Sequence, residues 1–163
     1  MSDLAVFRRQ VVRPTLFHLQ AYHPKMWSPA AENLIMGTAA HESGGLKHLR
    51  QIGGGPALGV FQIEPATALD TWHSYLSLRP KLENLVSELM WPWPEATITN
   101  QLIWNFAYAT AMARLVYWRK PEPLPDADDI EDLGRVWKSD YNTHKGSGTV
   151  AKFVSDYNFY VKE

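Results

Sequence analysis

The sequence predicts a mainly α protein with a small β flap. Apolar residues recur at steps of three and four through most of the chain. Clear helix-start signals stand at Ser28-Pro29, Pro65 and Pro80. One glycine-rich interruption, residues 53–59, leads into the extended-chain formers Val60, Phe61 and Ile63. At 163 residues, with 45% hydrophobic and 20% charged residues, the chain reads as one globular domain over residues 1–163.

The elements follow in order. Residues 4–20 carry Leu4, Val11, Val12, Leu16 and Leu19 at helical spacing, with Pro14 expected to break or restart the helix. Residues 28–43 form the best-signalled helix, with Ser28 as cap, Pro29 in the first position and Glu32 in the first turn. Leu34, Ile35, Thr38, Ala39 and Glu42 share one of its faces, so Glu42 extends a buried stripe up to the break at Gly44-Gly45. Residues 51–63 read as a hairpin or a two- or three-stranded flap. Helices are expected at 65–76 and 80–90. Trp91-Pro92-Trp93-Pro94 is a rigid extended break. The longest helix is expected at 96–118, with Leu102, Ile103, Phe106, Ala109, Ala113 and Val116 inward. Residues 120–129 are a proline-rich acidic loop, Asp129 caps a helix over 130–141, residues 146–148 turn, and 149–161 form the last helix.

Composition excludes several function classes. The net charge of −1 argues against a nucleic-acid binder, which usually carries a basic face, though it leaves room for a local patch. Without cysteine there is no disulfide, thiolate zinc site or thiol nucleophile. No run of about 18 apolar residues exists to span a membrane. Residues 1–20 lack the apolar core and small-residue cleavage site of an export signal. Seven tryptophans and seven tyrosines are the compositional oddity. Most are expected in the core; a few exposed in a cleft would suit a carbohydrate, whose C–H faces stack on rings.

The chemistry centres on Glu42. A carboxylic acid that cleaves a glycosidic bond must keep its proton near neutral pH. An apolar helix face disfavours the charged form, and so does the negative end of the helix dipole. His41 and Glu42 with His48 or His144 do not have His-Glu-x-x-His spacing, so neither a metal nor any other cofactor is expected. The glycines at 53–59 lack the Gly-Lys-Ser/Thr of a phosphate loop. Lys47, His48 and Arg50 form a small basic cluster able to meet carboxylates of a substrate.

Three motifs occur in order: His41-Glu42-Ser43-Gly44-Gly45, then Gly59-Val60-Phe61-Gln62-Ile63, then Tyr141-Asn142 ahead of a glycine turn. Together, over residues 28–158, they resemble the lytic transglycosylase family, and the stretch 41–65 is similar to its small phage-encoded members. The resemblance implies a lysozyme-like fold and a peptidoglycan glycan strand as substrate. It gives Glu42 the role of single catalytic acid/base and Ser43 that of supporting the acid and the substrate. Gln62, with the backbone at Phe61 and Ile63, would line the cleft opposite the acid. Tyr141 and Asn142 would orient the acid and bind the N-acetyl group. In the implied reaction Glu42 protonates the oxygen of the β-1,4 bond between N-acetylmuramic acid and N-acetylglucosamine. As a carboxylate it then takes the proton of the muramic O6 hydroxyl, and O6 closes on C1 to leave a 1,6-anhydro end without consuming water.

The chain departs from the family pattern in three places. Phe61 stands where methionine is usual, Asp140 replaces the usual alanine before Tyr141, and the gap from Gln62 to Tyr141 is long. Glu64 and Asp70 are candidate second acids. Either one facing Glu42 across the cleft would favour hydrolysis by a muramidase, which needs two carboxylates. The resemblance, with no export signal, implies a virus product. It would be made in the host cytoplasm and reach the wall in a virion, beside other virion proteins, or at lysis. The competing class is a virion structural protein that keeps the fold with little or no activity.

Overall fold

The computed structural model describes residues 1–142 and 146–162. Helices dominate it: α1 (Asp3–Phe7), α2 (Arg13–Leu19), α3 (Pro29–Ser43), α4 (Pro65–Asp70), α5 (Pro80–Ser87), α6 (Gln101–Trp104), α7 (Phe106–Trp118), α8 (Ile130–Val136) and α9 (Val150–Asp156). Their starts follow the expected chemistry. Pro29, Pro65 and Pro80 each occupy the first helical turn. The side chains of Ser28, Asn105, Asp129 and Thr149 accept from backbone amides three residues on, each cap worth about 1 kcal/mol.

Of the two outcomes expected at Pro14, the helix restarts rather than breaks, with the proline in the first turn of α2. A π segment, Arg8–Val12, joins α1 to α2 without interruption. The Arg13 N–H reaches back five residues to the Arg8 carbonyl, so the widened turn absorbs the proline ring. Three other helices also run out into π segments. Thr71–Tyr75 follows α4, Trp137–Asn142 follows α8, and Tyr157–Val161 follows α9.

The helix α3 is central. It packs against α7, α8, α9 and the π segments at both chain ends. Its burial is not confined to one stripe: Ala31, Met36, Gly37 and Ala40 are buried along with the expected Leu34, Ile35, Thr38 and Ala39. Small residues allow this close approach, since a Cβ at Gly37 would lie 2.5 Å from the Phe153 ring. One continuous core cluster runs from Leu4 to Val161.

The expected β flap is absent. Among the described residues there is no strand, only two isolated bridges, Arg50 with Leu58 and Leu58 with Ile63. The segment turns tightly instead: the Gln62 N–H bonds the Gly59 carbonyl, and Leu58 and Ile63 exchange two backbone bonds. A strand would send Val60 and Phe61 to opposite faces. The turn buries Val60, Phe61 and Ile63 together, at 1%, 0% and 4% exposure, and this burial outweighs their preference for extended chain. Gly59 is indispensable here, with φ +76° and a virtual Cβ only 1.9 Å from the Leu102 carbonyl oxygen.

The single helix expected over residues 96–118 is two. Asn105 leaves helical geometry and caps α7, while its amide bonds the Leu89 carbonyl and Gln101 Oε1. Of the residues expected inward there, Leu102, Ala109 and Ala113 are fully buried and Ile103, Phe106 and Val116 partly so. The longest described helix is therefore α3, at 15 residues.

Candidate active site

The end of α3 fixes the site. Gly44, at φ +61°, takes the left-handed conformation that terminates the helix, and its N–H closes on the Ala40 carbonyl. Glu42 is thereby held in the last turn. Its Oε1 accepts a 2.9 Å hydrogen bond from the indole N–H of Trp137. Trp137 is itself immobilised at 0% exposure, stacked on Phe153 at 5.4 Å and meeting the edge of His41 at 4.5 Å.

Burial pushes the Glu42 carboxyl up to about 7, and the indole bond only partly opposes the rise. No ion pair reaches Glu42 among the described residues. Behind it lie Tyr117 and Tyr141, stacked at 5.3 Å. Both phenols are held well above their ordinary range, first by burial and also by the Glu42 charge. The carboxyl is thus backed by aromatic rings and opens onto a groove of about 950 Å³, lined in part by His41, Gln62, Glu64, Tyr141 and Asn142. Such a group can donate a proton at neutral pH and accept it back.

The expected site residues take different places. Gln62 and Ile63 line the groove, and Gln62 sits at φ +48° with its amide pinned to the Gly59 carbonyl at 2.8 Å. Phe61 turns its ring into the core against Phe7. Its carbonyl accepts from the Tyr141 hydroxyl at 2.6 Å, which ties the 59–63 turn to the segment after α8. Tyr141 and Asn142 both line the groove. Ser43 is fully buried and does not line it. Its hydroxyl donates to the Ala39 carbonyl at 2.6 Å and accepts from the Leu46 N–H at 2.7 Å, so it shapes the helix end. Glu64 lines the groove, whereas Asp70 pairs with Arg119 at 2.9 Å elsewhere. Of the basic cluster, His48 and Arg50 face the groove and Lys47 lies over the Tyr160 ring.

Sequence reasoning missed three contributors. Trp137 is one: its indole N–H reaches a residue 95 positions away, and nothing local marks it out from a core tryptophan. The second is the pair of His41 Nδ1 with Asp156 at 2.7 Å, which fixes a ring that also lines the groove. Burial lowers the His41 pKa against the pull of Asp156, and Asp156 is further paired with Lys152. The third is Lys138. Its ammonium donates to Asn142 Oδ1 at 2.7 Å and to the carbonyls of Gly146 at 2.9 Å and Gly148 at 2.7 Å, all three residues lining the groove. The Lys138/Asn142 spacing of four on a helix is the one signal that could have suggested it.

Among the described residues no three His, Asp or Glu side chains converge as metal ligands, and His144 lies outside the described residues. Nor is any described helix long and apolar enough to cross a membrane. Comparison with protein-family models, with curated proteins and with solved structures gives no match to this chain.

Proposed function

We propose that this protein cleaves the glycan strand of peptidoglycan as a lytic transglycosylase, with Glu42 as the single acid/base and a lysozyme-like arrangement around it. The observation that carries the reading is the Glu42 carboxyl itself, raised to about 7 and hydrogen-bonded to a neutral indole at the edge of a sugar-sized groove. A carboxyl of that acidity is close to half protonated at neutral pH. It serves as general acid toward the leaving glycosidic oxygen and then as general base toward the O6 hydroxyl. Only one carboxylate is needed, because the substrate's own N-acetyl oxygen stabilises the oxocarbenium. Tyr141 supports the role by fixing the 59–63 turn at the groove wall. Asn142, held by Lys138, offers its amide N–H₂ to an N-acetyl carbonyl. Action on the wall from within a virion or at lysis belongs to the same proposal.

Glu64 favours a second reading. It lines the same groove, and with Glu42 it would form the two-carboxylate set of a hydrolase. One experiment separates the outcomes. Purified protein is applied to peptidoglycan in a gel and the released fragments are weighed by mass spectrometry. Clearing with 1,6-anhydro ends, lost in Glu42→Gln, is the expected result. Reducing ends, lost also in Glu64→Gln, would mean a muramidase. An intact wall under the wild type would leave only a structural role.

A further inference from the structure

Three of the seven tryptophans are treated differently from the rest. The indole N–H groups of Trp27, Trp72 and Trp137 donate to Glu32, Tyr108 and Glu42, and Trp118 is half-buried between His23 and Arg114. Trp91, Trp93 and Trp104 make no indole hydrogen bond among the described residues and stand 50%, 58% and 42% exposed. They also stand together: Trp91 lies 4.9 Å from Trp93 and 6.4 Å from Trp104, ring centre to ring centre. None of the three lines the groove at Glu42.

A buried polar network holds this cluster in shape. Gln101, at 0% exposure, accepts from the backbone N–H of Trp91 at 2.9 Å and donates to the carbonyls of Trp91 and Ala96. Asn105, at 6%, donates to Gln101 Oε1 and to the Leu89 carbonyl. Pro92 and Pro94 stiffen the chain between the rings. Buried amides are thus committed to fixing a loop whose tips are exposed aromatic faces with unused donors.

We propose that Trp91, Trp93 and Trp104 form a second carbohydrate-binding platform, outside the groove, that takes a neutral glycan segment through ring stacking and indole N–H donation to hydroxyls. Three arguments select this occupant. The first is area. Three tryptophans at about half exposure offer roughly 400 Å², half of the 800 Å² or so per partner that a stable protein interface buries, and suited to a short run of sugar rings. The second is charge. No lysine or arginine occurs between Lys81 and Arg114, while Glu83, Glu88 and Glu95 do, which disfavours an anionic membrane surface. The third is the unused N–H on each ring, which a sugar hydroxyl can accept and a lipid chain cannot. The choice of glycan rests on the peptidoglycan reading of the groove. The platform would keep a long strand attached while the groove works elsewhere on it, and Gly59 packs the groove-side turn directly onto α6, which carries Trp104.

The test uses the full chain in a Glu42→Gln background, so that binding is read without cleavage. Pelleting with purified cell-wall sacculi, and tryptophan fluorescence with chitotetraose, are compared before and after Trp93→Ala and Trp93→Ala/Trp104→Ala. Roughly tenfold weaker binding per ring removed is expected, the loss typical of an aromatic hot spot. Trp93→Phe keeps a ring and should lose less. With Glu42 restored, cleavage of short soluble fragments by Trp93→Ala should equal wild type. Unchanged sacculus and chitotetraose binding in the double variant would overturn the platform. So would tryptophan-dependent pelleting with phosphatidylglycerol vesicles, or tryptophan-dependent self-association in sedimentation, without glycan affinity. If the wild type fails to cleave the wall yet binds it through these rings, the platform stands and the catalytic proposal falls.

Discussion

Replacing Glu42 by glutamine should stabilise the protein by an amount that grows as pH rises above about 4.5. The Glu42 carboxyl is raised from 4.5 to about 7 because burial disfavours its charge. Between those values the folded protein holds a proton that the unfolded chain has already released. Stability therefore falls as pH rises through this window and stays lost above it. The difference of about 2.5 pH units, at about 1.36 kcal/mol each, puts the cost near 3 kcal/mol at pH 8. Glutamine never ionises and still presents an oxygen to the Trp137 indole, so it avoids the cost. For a chain of this length about 3 kcal/mol corresponds to a rise in Tm of roughly 6–12 °C. Thermal melts of wild type and Glu42→Gln at pH 4, 6 and 8, followed by circular dichroism, measure it. The gain should be near zero at pH 4, partial at pH 6 and full at pH 8. A difference independent of pH, or a less stable variant at pH 8, would refute the claim that burial sets the acidity of this carboxyl.

Three further outcomes are expected. Trp137→Phe removes the indole hydrogen bond that favours the Glu42 anion, worth about 1–2 kcal/mol, so the alkaline limb of the proposed wall-clearing activity, expected near pH 7, should move about one pH unit upward. Glu32 shows the opposite behaviour. Burial alone would raise it, but hydrogen bonds from Arg13, Trp27 and Arg8 hold it down at about 2. Its stabilisation is present above pH 4.5 and is lost as pH falls toward 2. Glu32→Gln should thus cost about 3 kcal/mol or more in urea unfolding at pH 7 and only a small part of that at pH 2. Gly59→Ala should cost more than about 2 kcal/mol in the same assay, since it meets both a positive φ and the Leu102 carbonyl.

What the sequence disclosed was mostly local. Ser28-Pro29 and Gly44 bracket α3, and those bounds place Glu42 at the helix end. Asp129 and Thr149 cap as their residue types suggest. Local preference failed where distant groups decide. Val60, Phe61 and Ile63 favour strands, but the core accepts all three only if the chain turns. Asn105 has the residue type of a helix cap, yet apolar periodicity on both sides hid the break it makes. At the site, one strip of sequence held Glu42, Gln62 and Glu64, whereas Trp137 and Asp156 reach it across 95 and 115 residues, and no pattern along the chain encodes that.

The long span between Trp137 and its acceptor also governs when acidity is acquired during synthesis. A nascent chain that has not yet emitted residue 137 lacks the indole, the Tyr141 ring and the packing of α9 and the last π segment on α3. Without those groups the burial that raises the Glu42 carboxyl is incomplete, so its acidity should approach that of an ordinary glutamate until the last helices dock. The raised acidity of Glu42 is thus conferred by late-emerging residues rather than carried in the segment that bears the acid.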